Sequence, residues 1–134
     1  MRSEPTKSQP IATRIAPWLS VANATQAVNY YQMAFGAVEM ERLEDEQGDV
    51  VVAHLSMRGA TFWVQADADA NPQALGGRSP VRIILTVDDP DAVFKQAIAA
   101  GATEVGAVSE GHGWRIGRIA DPFGHHWEIG KPLR

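Results

Sequence analysis

The chain repeats itself, and that repetition restricts its fold more than any other feature. Leu19-Ser20-Val21, Gln26-Ala27-Val28 and Phe35-Gly36-Ala37-Val38-Glu39 recur as Leu85-Thr86-Val87, Asp91-Ala92-Val93 and Ala100-Gly101-Ala102-Thr103-Glu104. Gly101 follows Gly36 by 65 positions and Val87 follows Val21 by 66, so the copies differ by a single-residue gap. One supersecondary unit is therefore present twice, and the fold has to pack two similar halves together.

Each half can be read element by element. Ile15 to Val21 and Val81 to Val87 are runs of large apolar and β-branched residues, which predicts an opening strand in each copy. A helix follows in both. In the second, Asp89 is suited to the N-cap and Pro90 to the first helical position, where its missing N–H costs nothing; Val93, Phe94, Ala97 and Ile98 then share a face. Gly101 is expected to end it in the left-handed conformation. In the first, Asn23 caps, Ala27, Val28, Tyr31, Ala34 and Phe35 form the stripe, and Gly36 stops the helix.

Three shorter strands are predicted after each helix: about Val38 to Leu43, Val50 to Met57 and Ala60 to Gln65, then Thr103 to Val108, Trp114 to Ile119 and His125 to Ile129. Turns fall at Glu46-Gln47-Gly48, Arg58-Gly59 and Asp121-Pro122-Phe123-Gly124. The order is β-α-β-β-β twice, an α+β fold. The expected organisation is an N-terminal arm over 1–12, a first module over 13–66, a connector over 67–79 and a second module over 80–131, all within one structural domain.

Composition excludes several functions. The formal charge of −4 carries no basic stripe, so the surface cannot neutralise a phosphate backbone and nucleic acid is not an expected partner. Without cysteine there are no disulfides, thiolate metal sites or thiol nucleophile. No run approaches the roughly 18 apolar residues of a membrane span, and Met1 to Ala12 lacks the apolar stretch of a signal peptide. No membrane is expected, and a cytoplasmic location is.

Two motifs then carry a resemblance. Val21 leads into a helix ending Asn29-Tyr30-Tyr31-Gln32-Met33-Ala34-Phe35-Gly36, and the chain nears its end in Asp121-Pro122-Phe123-Gly124-His125-His126-Trp127-Glu128-Ile129. With the duplication, these resemble the vicinal oxygen chelate superfamily, which includes glyoxalase I, extradiol dioxygenases, fosfomycin-modifying enzymes and the bleomycin- and mitomycin-binding resistance proteins. The resemblance covers about Arg14 to Lys131. It implies that the two tandem modules curl into a half-open, barrel-like cup that holds a ligand, with modules paired within a chain or between two chains of a homodimer. Members that use a metal ligate it from the opening and closing strands of each copy, typically through His, Glu or Gln.

Carried onto this chain, those four positions are Ala16, Arg82, Trp63 and Glu128, and only Glu128 is a metal ligand. A single carboxylate does not hold a divalent ion selectively, and an adjacent Arg repels it. If the register slips by two, Gln65 adds one weak donor. No metal and no cofactor are expected. Strand alternation places Ala16, Trp18, Trp63, Gln65, Arg82, Ile84, His126 and Glu128 on the inner face of the cup, where Arg82 and Glu128 are expected to pair and the two Trp rings to form flat walls. The competing reading makes Trp18 and Trp63 plain core and the ion pair plain structure. His112 and Trp114 sit at a turn that can rim the cup. His54 faces either the cup or solvent. His125 and His126 point to opposite faces, so they cannot both address one ligand.

The favoured function is metal-independent binding of a small planar or aromatic molecule in a Trp-lined cleft, with antibiotic sequestration as one form of it. The alternatives are a glyoxalase-like lyase or isomerase using Glu128 as general base with His126 or His54, with or without a divalent metal, and a protein-association module whose cup is filled by its own side chains.

Overall fold

The computed structural model describes residues 10–71 and 81–134. Most of the expected arm and part of the connector lie outside them. The elements run β1 (Trp18–Val21), α1 (Ala24–Phe35), β2 (Val38–Glu44), β3 (Val50–Met57), β4 (Ala60–Ala66), β5 (Arg82–Thr86), α2 (Pro90–Ala100), β6 (Thr103–Gly111), β7 (Trp114–Ala120) and β8 (His126–Pro132). The β-α-β-β-β unit thus occurs twice. Each copy makes its own four-stranded sheet, in the orders β1-β4-β3-β2 and β5-β8-β7-β6. Opening and closing strands pair parallel, and the remaining neighbours pair antiparallel. Neither sheet closes on itself.

The opening strands are shorter than the apolar runs predict. Pro17 explains the first: it has no N–H for the ladder, although its carbonyl still accepts from the Trp63 N–H at 2.9 Å. The helices start as their sequences dictate. Asn23 accepts from the Gln26 N–H at 3.0 Å, and Asp89 accepts from the Ala92 N–H at 3.2 Å with Pro90 opening the first turn. Gly36 leaves α1 at φ +68 and ψ +28, the left-handed conformation. Gly101 differs from expectation: φ +130 and ψ +2 lie beyond the left-handed helical basin, in territory that still favours a residue without Cβ.

Alternation along the strands sorts the side chains. Leu19, Val21, Leu55, Phe62 and Val64 of the first sheet and Ile119, Trp127 and Ile129 of the second are buried on the helix-covered faces. Those two faces share one core, because the Tyr31 ring touches Phe62 at 5.2 Å and Trp127 at 5.7 Å, and Phe35 reaches Trp127 at 4.7 Å. The helices pack on each other. Across them, Tyr30 Oη donates to the Ala97 carbonyl at 3.3 Å and Gln96 Nε2 donates to the Met33 carbonyl at 2.7 Å.

Asp121 fastens the halves. Its Oδ1 accepts from the Phe123 and His125 N–H groups, each at 2.9 Å, which closes the Asp-Pro-Phe-Gly turn. Its Oδ2 accepts from Trp127 Nε1 at 2.9 Å and from the Tyr31 hydroxyl, which belongs to the other module. His125 Nε2 lies 2.9 Å from the Ser20 carbonyl and adds a second bridge, so this histidine serves the turn.

That arrangement carries a pH consequence. Burial first, and the Asp121 carboxylate second, push both Tyr phenols above their ordinary value of 10.0. The unfolded chain therefore ionises before the folded one does. Stability from this source is complete below pH 10 and is lost as pH rises above it, by about 1.4 kcal/mol per pH unit for each phenol kept neutral. Urea melts between pH 9 and 12 should show this loss, and Tyr31→Phe, although weaker at neutral pH, should show a shallower one. Equal slopes would remove Tyr31 from the account.

Candidate functional site

Both sheets turn their helix-covered faces to the common core and leave the other face uncovered, the open, cup-like arrangement expected of this fold. Among the described residues no hydrogen bond, ion pair or ring contact joins Trp18, Trp63 or Gln65 to Arg82, His126 or Glu128, and the sheets share no strand pairing. The candidate residues fall into two groups, one candidate half-site on each sheet.

The first half-site is an aromatic shelf. Trp18, Trp63, His54 and Glu41 lie side by side across β1, β4, β3 and β2 by strand register. Trp18 stacks near Trp63 with centroids 5.9 Å apart and planes 24° off parallel. The His54 ring lies against Trp63 at 3.9 Å and 8°. Glu41 Oε2 stands 3.9 Å from His54 Nδ1 and ends the row. Gln65 Oε1 accepts from Trp18 Nε1 at 3.0 Å and fixes the outer indole. Trp18 remains 52% exposed whereas Trp127 is 1% exposed, which decides that Trp18 is not core.

The second half-site is polar. Arg82 Nε lies 2.5 Å from Glu128 Oε2, the pairing expected of these positions. The guanidinium is half exposed, so the pair adds little stability, roughly 1 kcal/mol or less. His126 stands opposite Arg82 in the register, and Ile84 lies opposite Glu128 on the other side of the same row. Arg118 faces Glu128 from β7. Trp114 shares that outward side but sits four residues along β7 from Arg118, about 13 Å away. His112 lies at φ +53 in the exposed β6–β7 turn beside it. Neither is brought to the Arg82–Glu128 pair.

Two members of these half-sites, Glu41 and Arg118, were not anticipated, and His54 was left undecided. For Arg118 the signal was present, since alternation with Gly117 and Ile119 fixes its outward side.

The metal positions can be tested on this geometry. Ala16 precedes β1, the Trp63 ring is stacked, Gln65 Oε1 is occupied by an indole N–H, and the Arg82 guanidinium lies against the one carboxylate. Among the described residues no three His, Asp or Glu side chains converge. The residues present do not fit a resident divalent ion. Nor are the half-sites enclosed cavities. A recess of about 860 Å³ runs between the modules past Phe35, Met57, Arg58, Leu85, Asp88 and Lys131, and it contains none of the expected residues. Ile84 alone borders another, of about 150 Å³.

Comparison with known proteins fixes the class. Residues 18–130 match the family model of the glyoxalase-like domain, and the chain belongs to that family, within the vicinal oxygen chelate superfamily. An uncharacterized protein of Mycobacterium bovis is 42% identical over 130 residues, covering 90% of this chain and 84% of the relative. Among solved structures, TioX from Micromonospora sp. ML1 superposes with a TM-score of 0.70 at 24% identity, over 91% of this chain and 98% of that one. A bleomycin-binding protein complexed with bleomycin superposes with a TM-score of 0.67 at 17% identity, over 90% and 98%. At those identities the likeness is one of fold. Among the described residues no helix is long and apolar enough to cross a membrane.

Proposed function

We propose that this chain binds a small planar aromatic molecule without a resident metal, and that a second copy of the chain completes the site. The observation that carries the reading is the Trp63 ring: it is backed by His54 at 3.9 Å, flanked by Trp18, and set on a sheet face that no helix covers among the described residues. A flat, rigid π-surface of this kind stacks on a conjugated ligand at small entropic cost. The neighbour that holds bleomycin supports a sequestering role for the fold, and antibiotic sequestration is the form of the function we favour.

The homodimer follows from unfinished surfaces. Ile15, Trp18 and Ile84 are large apolar side chains more than half exposed. A two-fold partner would set the first module of one copy against the second module of the other, so that the Trp shelf faces the Arg82–Glu128 pair. Sedimentation velocity should then report a dimer. The lyase reading is weaker, because Glu128 is engaged by Arg82 and His54 lies on the other half-site. The filled-cup reading is weaker too, because Trp18 is not packed away.

Titrating Trp fluorescence with bleomycin and with planar fused-ring amides, acids and amines tests the proposal. Saturable quenching by at least one, unchanged after chelator treatment, is the expected result. No response across the set, or binding that disappears with chelator, would overturn it.

A further inference from the structure

The second half-site contains polar groups that the aromatic shelf does not explain. Arg118 Nε and His126 Nδ1 are both screened from water and have no hydrogen-bond partner among the described residues, and His126 is only 4% exposed. Buried donors without partners are rare in folded chains, and each costs about 1–3 kcal/mol if it stays unpaired. Both residues lie on one sheet face. His126 pairs in register with Ala120, two residues along β7 from Arg118, so the two side chains are diagonal neighbours within reach of one bound group. Charge points the same way. The carboxylate opposite Arg118 in the strand register, Glu128, is engaged by Arg82, and Arg118 forms no ion pair of its own among the described residues. Two guanidiniums against one carboxylate leave this face net positive on a chain whose overall charge is −4. A metal cation would be repelled here, and an anion would be attracted.

We propose that the outward face of the second sheet is an oxyanion site, in which Arg118 Nε and His126 Nδ1 donate to a carboxylate or phosphoryl group and Arg82 completes the positive rim. Guanidinium and imidazole N–H donors matched to a two-oxygen acceptor form the strong, charge-assisted class of hydrogen bond. The Arg82–Glu128 pair then has a purpose beyond bulk. It engages the Glu128 carboxylate, with which Arg118 forms no ion pair among the described residues. This deepens the binding function proposed above and rests on that face being a ligand face: the ligand becomes a planar aromatic acid, with its ring on the Trp shelf of one copy and its anionic group on the second module of the other.

The test uses the full chain, ¹⁵N-labelled, and follows the Arg118 Nε–H and His126 ring resonances during titration with inorganic phosphate, 2-naphthoate or 2-naphthamide. Phosphate and naphthoate should shift both resonances saturably, and the amide should leave them in place. By calorimetry naphthoate should bind at least about tenfold tighter than naphthamide, a preference that Arg118→Gln should reduce to near unity. The resonance arm uses wild-type protein, so it stands even if the variant folds poorly. Resonances that ignore both anions, or an acid preference that survives Arg118→Gln, would overturn the anion site. The two proposals fail separately. Naphthamide that perturbs Trp fluorescence while Arg118 ignores the anions removes only the anion site; phosphate that shifts Arg118 while no ring compound perturbs Trp removes only the planar ligand.

Discussion

Replacing Asp121 with Ala should lower the free energy of unfolding by about 4 kcal/mol, the largest stability effect expected of any polar substitution in this chain. Four donors converge on its carboxylate: the Phe123 and His125 backbone N–H groups on one oxygen, the Trp127 indole N–H and Tyr31 hydroxyl on the other. The residue is 4% exposed, so water cannot replace what is removed. Each donor left unpaired in that setting costs about 1–3 kcal/mol, and partial relaxation of the turn recovers some of the total. Asp121→Asn is the finer probe of the same carboxylate. Its shape is conserved, but one of its two ends is now an NH₂ group that must meet a pair of donors, so it should still cost about 2 kcal/mol. Thermal melts should show a midpoint lowered by roughly 12 °C for Ala and about half that for Asn. An Asn variant as stable as the parent would mean that the four bonds are not all made in solution.

That network also marks the boundary of what the sequence discloses. The duplication, the caps at Asn23 and Asp89 and the stop at Gly36 are local, and local chemistry is legible along a chain. So is the side of a strand on which a residue lies, which is how Trp18 and Trp63 could be named together, and Arg82 with Glu128. What alternation cannot supply is the direction in which one module faces the other. Here that direction is set by Tyr31 reaching across to Asp121 and Trp127, contacts separated by some 90 residues, and by Phe35 lying against the same indole. Those contacts set both helix-covered faces against one core. The role of Arg118 was hidden for a related reason. Its outward side is readable, but its place opposite Glu128 depends on the register that the Asp121 turn imposes on β7 and β8. His54 was undecidable because Val52 and Ser56 share its side of β3, and one apolar and one polar neighbour do not say whether that side is wet.

Trp63→Ala should separate binding from folding, since Trp63 and Trp127 face opposite ways. Removing the Trp127 ring empties the shared core, where it meets Tyr31, Phe35 and Phe62, and should cost about 3–5 kcal/mol of stability. Removing the Trp63 ring takes away its cross-strand ring contacts with Trp18 and His54 on the uncovered face, worth roughly 1–2 kcal/mol together. The fold should survive, with an unchanged circular dichroism spectrum. Affinity should not. An aromatic anchor at the centre of a binding surface contributes about 2 kcal/mol or more, so a planar ligand that quenches the parent should bind the variant roughly thirtyfold more weakly. Trp63→Phe keeps a flat ring of smaller area over His54 and should fall between. Affinity that is indifferent to both substitutions, in protein shown to be folded, would place the ligand elsewhere and leave the shelf without a part in binding it.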